Sequence, residues 1–106
     1  MAVARRIARS VLSSRAAACA NILPSVESHY WWKGKLEKAG EVMIIFKTTR
    51  QCLAPLEKAV LAVHPYETPE IICMPVACGL RAYLDWIDAS VGKGGEHFLS
   101  PRKARR

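Results

Sequence analysis

The longest strand-like segment of the sequence runs from Cys19 to Trp32, and it constrains the fold more than any other segment. Apolar side chains recur there at every second position over most of its length, which is the period of a β-strand. Pro24 interrupts the run and cannot donate a ladder hydrogen bond, so we expect a bulge or an edge position there. On this pattern one face of the strand carries Ala20, Ile22, Val26, Tyr30 and Trp32.

Two further strands are predicted downstream of this segment. Glu41 to Thr48 contains Val-Met-Ile-Ile-Phe, an apolar run typical of a buried strand. The intervening segment from Lys33 to Gly40 is polar and carries two glycines, which predicts a hairpin connection. Glu70 to Cys78 is rich in β-branched and apolar residues, and it is predicted to form the last strand.

Three segments have the apolar spacing of amphipathic helices. They are predicted at about Ala2 to Ala16, Cys52 to Val63 and Leu80 to Val91. The resulting order of helix, strand, strand, helix, strand, helix predicts an α+β fold with a split βαβ pattern. Such a pattern begins with a strand, so the first strand is missing from this chain.

The net charge of +7 is concentrated at the two ends of the chain. Four arginines precede Ala16 and four basic residues follow Pro101, whereas the body between them carries eight basic and nine acidic residues. A nucleic-acid-binding domain is expected to carry its basic face on the folded body, so no nucleic-acid partner is predicted. We predict one domain over residues 1–91 and a flexible basic tail over residues 92–106.

The beginning of the chain has two interpretations. No acidic residue occurs from Met1 to Val26, and an Arg- and Ser-bearing amphipathic start is also typical of organelle transit peptides. We prefer an ordinary first helix, because it continues without interruption into Ala17-Ala18-Cys19. A cytoplasmic protein is therefore expected, with an organelle as the alternative. No apolar run approaches the roughly 20 residues of a membrane-spanning helix, so no membrane insertion is predicted.

The sulfur-containing residues are predicted to be structural. Cys19, Cys52, Cys73 and Cys78 show no zinc-like grouping, which favours buried reduced thiols over disulfides or a metal site. Met43 and Met74 fall in the predicted strands and are expected to fill the core. The sequence also holds no Gly-rich phosphate loop, no Ser or Cys nucleophile signature and no H-E-x-x-H zinc helix, so no enzyme is predicted.

Several motifs follow one another in an order that resembles the CutA divalent-ion-tolerance family. They are Arg15-Ala-Ala-Ala-Cys-Ala-Asn-Ile22, Ser28-His-Tyr-Trp-Trp-Lys-Gly-Lys35, Glu41 through Lys47-Thr48, His64-Pro-Tyr-Glu-Thr-Pro-Glu70, Pro75-Val76, Gly79 and Tyr83-Leu-Asp-Trp86. Separate motifs in collinear order are far more specific than any one of them. The resemblance covers roughly Ile7 to Val91 and implies a ferredoxin-like fold and a homotrimer associated through sheet edges.

The resemblance also implies a link to tolerance of divalent metals, with copper or another divalent cation as the ligand. The ligands proposed in bacterial members are a first-strand cysteine and two adjacent histidines before the Pro-Tyr motif. Here the first strand is absent and the histidine pair is reduced to Val63-His64, so only His64 is carried over as a metal ligand. The alternative for His64 is a helix-stopping, hydrogen-bonding role.

Other residues have competing interpretations. Tyr30, Trp31 and Trp32 are expected in a subunit interface, with a ligand platform as the alternative. Tyr66 and Glu67 are expected in surface or interface hydrogen bonds rather than catalysis. Lys47 and Thr48 are expected at a solvated strand end, with an anion contact as the alternative.

Two function classes remain after these exclusions. The first is a trimeric protein associated with divalent metal tolerance, which binds a metal or a small ligand. The second is a non-enzymatic trimeric scaffold that localises or processes a protein partner. An RNA-recognition module is disfavoured, because Glu41 to Thr48 has Phe46 as its one aromatic residue and the body is not basic.

Overall fold

The computed structural model describes residues 1–64 and 69–92. Three helices and one β-hairpin form an α+β arrangement, which confirms the predicted class. In chain order they are α1 (Ala2–Ser13), β1 (Cys19–Trp32), β2 (Lys35–Lys47), α2 (Leu53–Val63) and α3 (Arg81–Ser90). A single 3₁₀ turn, Arg50–Cys52, leads into α2.

The second strand of the hairpin begins at Lys35 rather than at the predicted Glu41, which extends the paired region to the tip. β1 pairs with β2 in antiparallel register from Cys19 opposite Lys47 to Trp32 opposite Lys35. The predicted connection from Lys33 to Gly40 is therefore wrong, because two residues make the turn and the rest extend β2. Lys33 and Gly34 have φ of 51° and 78°, the left-handed values of a type I′ turn. This turn matches the twist of the strands and lets pairing continue to the tip.

A bulge in β1 changes which side chains share a face. Between Leu23 and Val26 the register shifts, because Pro24 and Ser25 lie opposite the single residue Val42. Pro24 thus lies at the predicted bulge. An extra residue reverses the alternation, so Ile22 and Val26 point to opposite faces. The prediction that Ala20, Ile22, Val26, Tyr30 and Trp32 share one face is wrong beyond this point.

The first helix packs its apolar stripe against the rest of the molecule. Its buried residues recur at helical spacing: Ala4, Ile7, Ala8 and Val11. The helix ends at Ser13, shorter than the predicted Ala16, because Arg15 adopts a left-handed φ of 65°. The Ala16 N–H then donates to the Val11 carbonyl at 3.2 Å, a bond typical of helix C-terminal capping.

The core lies between α1, α2 and one face of the hairpin base. Its buried members are Ile7, Val11, Ala16, Ala17, Leu56 and Val60, with Ile44, Phe46, Ala59 and Val63 packed against them. Each element contributes one apolar face, which is the usual layered solution for a small domain. The rest of the hairpin extends beyond this core, and the molecule measures 52 × 28 × 22 Å.

The predicted strand from Glu70 to Cys78 is wrong. Residues 69–80 adopt no helix or strand, and residues 70–80 are all exposed. A strand needs a hydrogen-bonded neighbour, and in the described part of the chain β1 and β2 pair with each other in a two-stranded sheet. The β-branched composition of this segment is insufficient by itself to make a strand.

The third helix confirms its prediction and is tied to the base of the fold. Ile87 and Val91 are buried. The Gly92 N–H donates to the Arg15 carbonyl at 2.8 Å, and the Gly92 carbonyl accepts a bond from the Cys52 thiol at 3.1 Å. These contacts hold the end of α3 beside the ends of α1 and of the 3₁₀ turn.

Within the described ranges, no helix has the length and apolarity required to cross a lipid bilayer. The predicted tail over residues 92–106 lies outside the described residues, apart from Gly92. The predicted domain boundary at residue 91 stays a prediction.

Candidate functional site

His64 lies immediately after the last residue of α2. Its backbone leaves the helical region, with φ of −76° and ψ of 136°, and its N–H donates to the Val60 carbonyl at 2.9 Å. The following proline explains this geometry, because a residue before proline is pushed towards the extended region. The backbone of His64 thus ends the helix, and its half-buried side chain remains a candidate ligand.

A complete metal site is absent from the single chain as far as it is described. Residues 1–64 and 69–92 contain no group of three or more His, Cys, Asp and Glu side chains placed to hold a metal ion. A closed zinc or copper site needs three or four such donors. Within those two ranges, the donors of one copy do not make such a site around His64.

Tyr66 and Glu67, which were predicted to make surface or interface hydrogen bonds, lie outside the described residues.

The hairpin carries a histidine–carboxylate pair that was not predicted. The His29 Nε2 atom lies 2.9 Å from the Glu27 Oε2 atom, and both side chains are well exposed. Residues two apart on a strand point to the same face, so this i, i+2 spacing within a predicted strand was the available signal. Two exposed donors are too few to form a metal site by themselves, although they can contact a cation.

Lys47 and Thr48 close the base of the hairpin and are both partly buried. The Thr48 hydroxyl donates to the Ala16 carbonyl at 2.6 Å, and the Lys47 Nζ lies 5.7 Å from the centre of the Tyr83 ring. This strand end is therefore only partly solvated, and the alternative of an anion contact there stays a prediction.

The tip of the hairpin exposes large apolar side chains. Trp31 and Trp32 are 72% and 60% exposed, Leu36 is 66% exposed, and Tyr30 is exposed as well. The Lys33 Nζ lies 5.6 Å from the centre of the Trp32 ring, a cation–π contact. Exposed clusters of this kind in soluble proteins mark interaction surfaces.

A second exposed apolar surface lies on the segment before α3. Ile72, Met74, Val76 and Leu80 are each about three-quarters exposed or more. The prediction that Met43 and Met74 fill the core is wrong, since they are 45% and 83% exposed.

The prediction of buried thiols is correct only for Cys52. All four cysteines are free, but Cys19 is half-buried and Cys73 and Cys78 are exposed. The last two lie in the segment that was expected to be a buried strand, and they are exposed because that strand does not form.

Comparison with known proteins identifies the family to which this architecture belongs. The family model described as CutA1 divalent ion tolerance protein matches residues 1–90. The chain belongs to the CutA1 family. A CutA divalent-cation tolerance protein of Thermus thermophilus is 42% identical over 90 residues, which is 85% of this chain and 87% of that relative.

Solved CutA structures share the fold. The Thermus thermophilus divalent cation tolerance protein superposes with a TM-score of 0.82 at 42% identity, covering 86% of this chain and 88% of that one. CutA1 from Oryza sativa gives a TM-score of 0.81 at 40% identity, covering 86% and 84%. The hairpin and the three helices therefore have the arrangement of CutA1 proteins.

Some CutA relatives are considerably longer than this chain. Mouse CutA is 45% identical over 85 residues, which is 80% of this chain and 48% of the mouse protein. The chain thus spans about half the length of that relative, and of the chloroplastic rice protein CutA 1. The family match covers residues 1–90 and therefore includes both exposed apolar surfaces.

Proposed function

We propose that this CutA1 family member works as a non-enzymatic homotrimer in the tolerance of divalent metal ions, with copper as the expected metal. The family membership and the names of the bacterial relatives, divalent-cation tolerance proteins, support the metal connection. The exposed apolar surface of the single chain supports the assembly. The two parts rest on different observations and are tested separately.

The observation that carries the assembly is the unpaired segment 69–80. Its apolar side chains Ile72, Met74 and Val76 alternate along the chain and lie in water in the single copy. Each large apolar side chain transferred out of water contributes about 1.5–3 kcal/mol. The backbone N–H and C=O groups of an unpaired extended segment can also complete a ladder on another copy. Both gains favour association over the isolated chain.

A lysine substitution tests this proposal without disturbing the core. Met74→Lys places a charge on the segment, and Leu61→Lys places one on the exposed side of α2, where 47% of the leucine is in water. Both positions tolerate a charge in the single chain. We expect Met74→Lys to lower the mass measured by light scattering, and Leu61→Lys to keep the parent mass. If Met74→Lys assembles like the parent, the segment is not in the interface.

For the metal, we propose that His64 supplies one imidazole to a site completed by other copies of the chain. A single histidine is not a site, but a trimer repeats each donor three times around its axis. Imidazole is a ligand of both copper and zinc, so His64 by itself does not identify the metal.

Two histidine variants distinguish His64 from the hairpin pair. Calorimetric titration of the assembled chain with Cu²⁺ should give a saturable site that His64→Ala abolishes. His29→Ala is the matched control, because it also removes an imidazole but leaves α2 unchanged. Loss of binding in the control instead would move the site to Glu27 and His29. Absence of saturable binding in the parent would refute the metal proposal and leave the assembly proposal intact.

The alternative function is a trimeric scaffold that localises or processes a protein partner, and the hairpin tip favours it. If Trp31 and Trp32 serve a partner, they remain in water in the assembled protein and acrylamide quenches their emission. If they lie between subunits, their part of the emission is protected and the remaining quenching comes from Trp86, which is 46% exposed. A Trp31→Ser, Trp32→Ser variant then loses mass. The second result would remove the surface on which the alternative rests.

The cellular compartment is also part of the proposal. We expect the cytoplasm, with an organelle as the alternative, since the rice and Arabidopsis relatives are named chloroplastic. A fluorescent protein fused after Arg106 would show either a diffuse cytoplasmic signal or an organelle pattern.

A further inference from the structure

The outer side of α1 carries a compact group of positive charges. Arg5, Arg6 and Arg9 are all exposed. At about 100° per residue they fall within an arc of roughly 100°. The arc lies opposite the buried stripe of Ala4, Ile7, Ala8 and Val11. We call these three arginines the α1 basic face.

The charge of this face is not compensated locally. The sequence has no acidic residue before Glu27, so α1 itself carries no carboxylate. Within the described ranges, none of the three guanidinium groups has a carboxylate at ion-pair distance. The apolar side of the helix is fixed in the core, so the arginines are held outward in one orientation. A rigid uncompensated face of this kind attracts anions.

Two apolar side chains border the α1 basic face. Val3 and Leu12 are 39% and 37% exposed, and they lie on opposite edges of the arginine arc. Guanidinium groups bind phosphate and carboxylate oxygens with paired hydrogen bonds. The main apolar stripe of α1 is buried in the core, so attraction to a membrane would be mainly electrostatic, and clustered basic residues on a helix attract anionic lipid headgroups. We propose that the α1 basic face docks the protein peripherally on anionic lipid surfaces.

A nucleic acid fits this face less well. Arg5 and Arg9 are separated by a rise of about 6 Å, which is too short to follow a series of phosphates. Single-stranded nucleic acids also need aromatic side chains for base stacking. The two most exposed tryptophans, Trp31 and Trp32, are at the hairpin tip, about 30 Å along the strands from Ile44 and Phe46, where the helices pack. The third, Trp86 on α3, is 46% exposed and packs against the Tyr83 ring with 5.5 Å between the ring centres. Trp31 and Trp32 therefore lie too far from the α1 basic face to act with it.

The test compares binding of the full chain to two kinds of vesicle. One contains phosphatidylcholine with phosphatidylserine, and the other contains phosphatidylcholine alone. We expect binding to the first kind, weakened as salt shortens the Debye length. Replacing Arg5, Arg6 and Arg9 together by glutamine should weaken it roughly 150-fold, at about fivefold per basic residue. Glutamine has nearly the helix propensity of arginine, and circular dichroism verifies that the helices persist.

A control variant separates this face from net charge. Replacing Lys33, Lys35 and Lys38 of the hairpin by glutamine removes the same three charges from exposed positions. The basic residues after Pro101 are present in every variant, so they do not affect the comparison. We expect the hairpin variant to bind vesicles like the parent.

Three results would overturn the proposal. The first is equal weakening of both triple variants, which would indicate an effect of net charge. The second is absence of binding by the parent at low salt. The third is that the parent binds a single-stranded oligonucleotide more tightly than vesicles and the α1 variant loses that binding. This result would assign the α1 basic face to nucleic acid. The proposal does not depend on the trimer or on metal binding.

Discussion

Thr48 and Thr49 follow β2 directly, and the same substitution should lower the free energy of unfolding at one of them and raise it at the other. The Thr48 hydroxyl donates to the Ala16 carbonyl at 2.6 Å, which ties the end of the hairpin to the connection after α1. The Thr49 hydroxyl oxygen is buried and has no hydrogen-bond partner among the described residues. Valine replaces the hydroxyl by a methyl group at both positions, so intrinsic strand preference changes equally.

The sizes of the two effects follow from these contacts. Thr48→Val removes a hydrogen bond with a net contribution of about 1 kcal/mol and leaves the Ala16 carbonyl without this donor, so we expect a loss of roughly 1–2 kcal/mol. Thr49→Val removes a buried polar group that has already lost its water, and a gain of about 1 kcal/mol is expected. At about 4 °C or more per kcal/mol, the two variants should differ clearly in melting temperature.

Urea unfolding followed by circular dichroism measures the free energy of unfolding of both variants. All variants are compared at one protein concentration, because assembly makes stability depend on concentration. Similar destabilisation by both substitutions would refute the reasoning, since it would mean that the Thr49 hydroxyl makes a bond as strong as that of Thr48. A neutral Thr48→Val would likewise mean that the bond to Ala16 contributes no net stability.

Two other matched pairs are predicted to separate in the same unfolding assay. An added Cβ meets no atom within 4 Å at Gly34 or at Gly40, so only the backbone conformation separates the two positions. Gly34→Ala should lower the free energy of unfolding by about 1 kcal/mol, because Gly34 has a φ of 78° in the turn. Gly40→Ala should be neutral or stabilising. Equal effects would contradict the turn geometry. Val11→Ala should cost about 2 kcal/mol because Val11 is fully buried, and Val3→Ala on the exposed side of the same helix should cost almost nothing. Equal losses in this pair would contradict the position of the core.

Local patterns predicted most elements of the fold correctly. β1 has its predicted bounds, and the ends of α2 and α3 lie within one residue of the predicted ones. These elements were predictable because their signals, the apolar periodicity and the proline after His64, are local to each segment. The end of α1 was missed because Arg15 is in a left-handed conformation that usually requires glycine.

The errors concern features that depend on pairing between segments. Lys33 to Gly40 looks like a loop in isolation, but a two-residue turn brings most of it opposite β1. Glu70 to Cys78 looks like a strand in isolation, but no neighbour pairs with it in the described part of the chain. The predicted faces of β1 after Pro24 are wrong because the extra residue of the bulge reverses the alternation of side chains.

The candidate site was predictable only residue by residue. His64 was predicted as a ligand from its motif, and that role stays a prediction. The Glu27–His29 pair follows from strand spacing and could have been identified from the sequence. The exposure of the segment around Met74 was not predictable from composition, because the same residues would be buried if the strand formed.

The mass of the full chain in solution, measured by size-exclusion chromatography with light scattering, tests the central claim most directly. That claim is that the apolar surface of segment 69–80 is covered by other copies of the chain. We expect a single species of about three times the chain mass of 11.8 kDa, unchanged on dilution. A monomer that persists at high concentration would contradict the claim, because Ile72, Met74 and Val76 would then remain in water.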